Sequence, residues 1–310
     1  MRDYIVTRIL AKTGMALVRL AQAPNGEFVA LKTPLQSTLD DPEQLKRFAN
    51  EIGTHLQLQH SNIARVVEGS ALIDNPYIVM HYYPDGSLDR YLQETGKPDL
   101  LRGLKFMRDI GLALNYLHDK GFVHQDIKSS NIFLQGDKAV LGDFGVAVSI
   151  QNPKYAAGSP FYMAPEIYRG DPGSIESDVY SLGILTYETL TGHRPYNGKS
   201  YDELMMAHLT QYPKSLLQTH AGLTRKAALA IEKALAKNPK DRIHLNHFIA
   251  ALDENIKQLE NPNALPQEQA QMQKERFSGS LRNSPPPQTT PPAEEDKKGF
   301  FQRLFGKKRS

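Results

Sequence analysis

Apolar and polar residues alternate in short runs over residues 4–10, 15–21 and 27–32, and this period of two predicts β-strands with one face against a core. Asn25-Gly26 precedes the third run, and because both residues tolerate positive φ the two strands around them are expected to form a hairpin. Asp41-Pro42 then has the form of a helix cap with proline at the first helical position, and Leu45, Phe48, Ile52 and Leu56 follow at helical spacing. The apolar run 77–80 predicts a buried strand that ends in the turn Pro84-Asp85-Gly86, a natural hinge.

Past that turn the period becomes helical. Leu104, Met107, Gly111, Leu114 and Leu117 share one face, with Gly121 placed to stop the helix, and further helices are expected near 177–191, 201–210, 222–237 and 244–260. The fold class implied is α+β, with a small strand-rich lobe carrying one helix over residues 1–83 and a larger, mainly helical lobe over 84–258. After Leu259 the chain turns to Asn, Gln, Pro, Ser and Thr, including Pro285-Pro286-Pro287, too poor in apolar residues to build a core. Residues 259–296 are therefore expected to be a disordered linker. No internal repeat emerges.

Composition narrows the chemistry. At 310 residues and 40% hydrophobic content the chain can fill a sizeable core, and a net charge of +3 gives no argument for a nucleic-acid partner. With no cysteine there is no disulfide framework, thiolate metal site or cysteine nucleophile, which suits a reducing cytosol. The first residues lack the apolar stretch of a secretion signal, and no run of about 18 apolar residues suggests a membrane-spanning helix. A cytoplasmic protein is expected.

Candidate chemistry concentrates in residues 121–145, GFVHQDIKSSNIFLQGDKAVLGDFG. His124-Gln125-Asp126, with Asn131 five residues after Asp126, is followed by Asp143-Phe144-Gly145; upstream stand Val29-Ala30-Leu31-Lys32 and Glu51, and downstream Gly158-Ser159-Pro160, Ala164-Pro165-Glu166 and Asp178-Val179-Tyr180-Ser181-Leu182-Gly183. Singly these are a turn, a strand end or a capped loop; in this order the set resembles the protein-kinase superfamily over residues 4 to 250, and in particular the bacterial Ser/Thr protein kinases.

The resemblance implies a two-lobed kinase fold and a Ser/Thr kinase using ATP and Mg2+ on protein substrates. It assigns Lys32 to the α- and β-phosphates, held by Glu51; Asn131 and Asp143 to magnesium; Asp126 to the attacking hydroxyl; and Lys128 to the transferring phosphoryl group. The adenine pocket is expected from Leu10, Val18, Ala30 and Phe133, with Met80 as gatekeeper and backbone groups of His81 and Tyr83 facing the base. Glu166 is expected to pair with Arg242, and Asp178 to hold the catalytic-loop backbone.

Two departures stand out. Aligning Val18 with the phosphate loop's valine places Ala11, Thr13 and Ala16 where three glycines are expected, so that Gly14 alone remains at the tip. Added β-carbons restrict the approach of backbone N–H groups to phosphate, and weakened nucleotide binding is expected rather than lost catalysis. Gln125 replaces the arginine that in many kinases receives an activation-loop phosphate, so phosphorylation between Gly145 and Ala164 is not expected to be required. The alternatives are a catalytically silent kinase-like binding module and a small-molecule phosphotransferase; the segment Gly158 to Glu166, a peptide-substrate platform by resemblance, argues against the second.

The chain ends EEDKKGFFQRLFGKKRS. At helical spacing Phe300, Phe301, Leu304 and Phe305 share a face flanked by Lys297, Lys298, Arg303, Lys307, Lys308 and Arg309, so residues 297–310 form a basic amphipathic segment. Over about a dozen residues it resembles the membrane-targeting helix of the bacterial Min-system ATPase. It gives the cytoplasmic chain a candidate peripheral contact with the anionic inner face of the cell membrane.

Overall fold

The structure, a computed structural model, describes residues 3–261 except 73, 75, 152–157 and 219. The linker beyond residue 261 and the basic segment 297–310 lie outside the described residues.

The alternating runs form β1 (Ile5–Lys12), β2 (Ala16–Gln22) and β3 (Phe28–Pro34), with Gly26 at φ +85° in the second hairpin turn. A four-residue turn of helix, α1 (Gln36–Leu39), leads into α2 (Pro42–His55), where the Asp41 carboxylate accepts the N–H groups of Glu43 and Gln44 and proline fills the first turn. β4 (Val66–Ser70) and β5 (Tyr77–His81) complete an antiparallel five-stranded sheet in the order β1-β2-β3-β5-β4. Its register pairs Val18 with Lys32, Leu20 with Ala30, and Ala30 with Met80. Side chains alternate across the pleat, so one face packs Ala21, Val29, Leu31 and Val79 together. Ala16 and Ile78, on the other, pack against Phe48 and Ile52 of α2.

The helical part begins with α3 (Leu88–Glu94), capped by Ser87, and the long α4 (Leu100–Asp119). The predicted stripe of α4 is fully buried: Leu104, Met107, Leu114 and Leu117 have no exposed surface. Two short strand pairs follow, β6 (Phe122–Val123) with β9 (Val148–Ser149), and β7 (Ile132–Gln135) with β8 (Lys138–Leu141). The remaining helices are α5 (Pro165–Tyr168), α6 (Ile175–Thr191), α7 (Tyr201–Thr210), α8 (Arg225–Ala234) and α9 (Leu245–Glu260). α8 is shorter than the predicted 222–237, because Thr224 caps it and the apolar neighbours Leu223 and Leu235 are buried from outside the helix.

α6 runs through the centre of this part; most of its residues are buried, and it opens on a capping box between Ser174 and Ser177. Among the described residues no helix is long and apolar enough to cross a membrane.

Candidate functional site

Lys32 and Glu51 arrive from different elements. β3 points Lys32 to the sheet face covered by α2, and the helical period that buries Phe48 and Ile52 turns Glu51 the same way. The two side chains, 7% and 5% exposed, form an ion pair. Lys32 Nζ also lies 3.2 Å from Asp143 Oδ1, in the loop after β8. Burial would push the Lys32 ammonium down, but the carboxylates of Glu51 and Asp143 outweigh it and hold its pKa above the ordinary value. Burial likewise works to raise Asp143, and Lys32 more than reverses it, keeping the carboxylate ionised. Glu51 shifts up through burial, with Lys32 pulling the other way.

The loop after β6 supplies the second group. Asp126 Oδ2 is 2.7 Å from Lys128 Nζ, and Ser159 Oγ donates to Asp126 Oδ1 at 2.8 Å while accepting from Lys128 Nζ at 2.9 Å. Asn131 Nδ2 donates to the Asp126 carbonyl at 2.9 Å and to its Oδ2 at 3.1 Å. The loop is pinned from below by buried Asp178 of α6, whose carboxylate accepts the N–H groups of His124 at 2.8 Å and Gln125 at 2.9 Å and contacts His118 Nε2 at 2.9 Å. Among the described non-glycine residues only Gln125 (φ 69°) and Asp143 (φ 59°) have positive φ, and both lie in the two loops that meet here.

Close backbone approach explains two glycines. A β-carbon on Gly142 would fall 2.5 Å from the Phe133 ring, and one on Gly158, at φ +130°, would fall 2.6 Å from the Gln125 carbonyl oxygen.

A cavity of about 180 Å³ is lined by Thr13, Gly14, Met15, Lys32, Glu51, Asp126, Asp143, Gly145 and Val146. Five residues singled out from sequence, Gly14, Lys32, Glu51, Asp126 and Asp143, therefore share one space. Lys128 and Asn131 adjoin it through Asp126. Leu10, on β1, lies at the bulge beside the Ala11–Val18 pair. Ala30 stands opposite Met80 on the sheet and Val18 opposite Lys32, two residues along β3, and Phe133 lies on β7 with its ring stacked on Tyr83, centroids 5.7 Å apart. Among the described residues the Tyr83 N–H has no hydrogen-bond partner.

Comparison with known proteins agrees with this geometry. The protein kinase domain family matches residues 4–251. The chain belongs to the protein kinase family. It is 33% identical over 251 residues to the serine/threonine-protein kinase PknB of Mycobacterium leprae, covering 77% of this chain and 40% of that protein. PknB of Mycobacterium tuberculosis is 33% identical over 252 residues, again 77% of this chain and 40% of the relative. The serine/threonine-protein kinase PLK4 of Xenopus laevis is 31% identical over 257 residues, 80% of this chain and 26% of that protein. The chain thus spans less than half the length of these relatives.

Within this kinase domain the structure adds His55, which sequence patterning did not single out, and gives the motif residues Phe144, His124 and Gln125 their packing. Phe144 is buried with its ring centroid 4.6 Å from His55 of α2 and 5.1 Å from His124, so the loop of Asp143 is packed between the helix of Glu51 and the loop of Asp126. Burial pushes His55 down to about 4, and His124 also below the usual imidazole range, keeping this contact apolar and uncharged. His55 is one helical turn from Glu51, a spacing that was available as a signal. Gln125 presents a different surprise: among the described residues its buried side-chain amide has no hydrogen-bond partner, and it packs where a β-carbon on Gly173 would come within 2.6 Å.

The expected pair of Glu166 and Arg242 is present and buried. Arg242 Nη1 donates also to the Glu176 carbonyl at 2.9 Å, and its Nε to that of Ala236 at 2.9 Å.

Proposed function

We propose that the protein is a Ser/Thr protein kinase that transfers the γ-phosphoryl group of magnesium-bound ATP to hydroxyl groups of protein substrates. The observation that carries this reading is the Ser159 hydroxyl held between the Asp126 carboxylate and the Lys128 ammonium, because an alcohol acceptor needs the same two neighbours.

In this reading the adenine lies between Leu10, Val18 and Ala30 on one side and Phe133 on the other, with Met80 at the back and backbone groups of His81 and Tyr83 as polar partners. Lys32, held charged and oriented by Glu51, binds the α- and β-phosphates. The remaining ligand atoms fit a hard cation: Asp143 offers a carboxylate, and Asn131 has its Nδ2 committed to Asp126, which among the described residues leaves its side-chain Oδ1 free. Among the described residues no three or more His, Cys, Asp or Glu are grouped so that they could hold a metal ion by themselves, and a magnesium ion held by two protein oxygens would take phosphate and water as its other ligands. When bound, that ion neutralises phosphate charge.

Asp126 orients the substrate hydroxyl and accepts its proton as the oxygen bonds to the γ-phosphorus. The bond to the bridging oxygen breaks, ADP departs, and Lys128 offsets charge on the moving group. Labelling of the protein itself or of a generic substrate with Mg2+ and labelled ATP tests the reading. Asp126→Asn is expected to lower the rate by about 10²-fold or more. Equal, negligible labelling by wild type and variant would replace the enzyme with a catalytically silent binding module.

A second part of the proposal concerns partners. Residues 297–310 combine an aromatic face at helical spacing with flanking cations, a composition that suits the boundary of an anionic bilayer, where each cation contributes roughly 1 kcal/mol. Sedimentation with liposomes should show binding that requires anionic lipid and vanishes on deletion of 297–310. Equal pelleting without the segment would remove this part alone.

A further inference from the structure

The phosphate loop of this chain lacks most of its family's glycines, yet it is not left loose. Thr13 closes it on itself: its N–H donates to the Ala16 carbonyl at 2.8 Å, and its hydroxyl accepts the Ala16 N–H at 3.0 Å. The next residue but one is tied outside the loop. The Met15 carbonyl accepts two hydrogen bonds, from the Leu35 N–H at 2.9 Å and from the Thr38 hydroxyl at 2.7 Å. Thr38 belongs to α1, has no exposed surface, and lies three residues before the cap of α2, the helix that carries Glu51. The Met15 side chain packs on the same cluster as Phe48 and Ile52 of α2.

Gly14 at the tip has open space around it, and Thr13, Gly14 and Met15 line the cavity shared with Lys32, Asp126 and Asp143. The loop is thus held over the cavity by α1, the turn of helix that leads into the Glu51 helix.

We propose that Thr38 and Thr13 are positioning residues for the nucleotide: Thr38 fixes the phosphate loop to the α1–α2 junction through the Met15 carbonyl, and Thr13 closes the loop's turn. The inference rests on the ATP reading above. Its physical basis is preorganisation, since a loop ordered before the ligand arrives loses less entropy on binding. It also supplies a reason for threonine at a glycine position, because the turn here is closed by a hydroxyl.

Thr38→Val keeps the buried shape and removes only the hydroxyl. The Met15 carbonyl retains the Leu35 N–H, so no buried acceptor is orphaned and the fold should persist. In nucleotide-free protein, amide hydrogen exchange at residues 13–16 should speed up in Thr38→Val and return to the wild-type rate in Thr38→Ser. The dissociation constant of ADP, and the KM for ATP, should rise about five- to tenfold in Thr38→Val, with kcat changed by less than about twofold. Thr13→Val, at an exposed position that does not threaten folding, should raise the same two constants by about threefold. Unchanged ADP affinity in both valine variants, or a loss in Thr38→Val that serine does not restore, overturns the proposal while leaving the ATP reading intact. A wild-type protein that binds no ADP removes that reading and this one together.

Discussion

His208 shows how much one side chain can conceal. Its Nδ1 lies 2.9 Å from the Tyr180 hydroxyl, its buried Nε2 has no partner among the described residues, and burial, with Lys237 nearby, pushes its pKa down to about 3. His55 is depressed to about 4 by the same cause. An unfolded histidine titrates near 6.5, so above that pH folded and unfolded chains bind the same number of protons at these sites. Below it the unfolded chain takes up protons that the folded state refuses. Stability should therefore fall as pH falls through 6.5, by roughly 1.4 kcal/mol per pH unit for each histidine, down to about pH 4 for His55 and about pH 3 for His208. Urea denaturation at pH 7 and pH 5 checks the sign, and in His208→Gln the difference between the two should shrink by about 2 kcal/mol. A difference as large as wild type would mean that His208 is not buried in neutral form. Neither histidine declares this in sequence, since depression requires neighbours from other elements: Phe144 beside His55, and Tyr180 and Tyr196 beside His208.

Elements were legible where the pattern was long and locally capped. Asp41-Pro42 announces α2, because the signal sits within four residues of the helix start, and Asp41→Ala should cost about 1 kcal/mol and lower the melting temperature by about 2–4 °C, with Asp41→Asn close to wild type. α4 was legible from its apolar face, and Gly111 belongs to that face for a reason periodicity alone does not give. A β-carbon there would meet Ile249 of α9 at 2.9 Å, so Gly111→Val should overpack the contact and cost roughly 1–3 kcal/mol in chemical denaturation. A variant as stable as wild type would show that α9 can move away freely. α3 left no such trace: of its seven residues only Leu88 is buried, so no helical period develops, and the remaining cue is the Ser87 cap. The β7–β8 pair is similarly short, and its place is set by packing against α4 rather than by its own alternation.

At the scale of the molecule, the two aspartates of the proposed chemistry come from loops and the lysine from a strand, with Lys32 and Asp143 111 positions apart, and their meeting depends on supports outside the site. Arg242 is one: buried against Glu166, it also ties the carbonyls of Ala236 and Glu176, joining the start of α5 to α6 and to the segment before α9. Arg242→Ala leaves a buried carboxylate without its cation and should cost about 3–5 kcal/mol, seen as a lower denaturation midpoint with phosphate-site residues untouched. A loss under 1 kcal/mol would place that carboxylate in contact with water. The sequence by itself determined the strand and helix periods, the capped α2, the order of the motifs and the kinase family they belong to, because each is written in residues close together or in fixed order. Tertiary structure alone decided that Thr38 reaches Met15 and that Phe144 packs between His55 and His124. Those contacts join residues from separate elements, and local periodicity carries no information about which distant side chain fills the opposite side of a shared space.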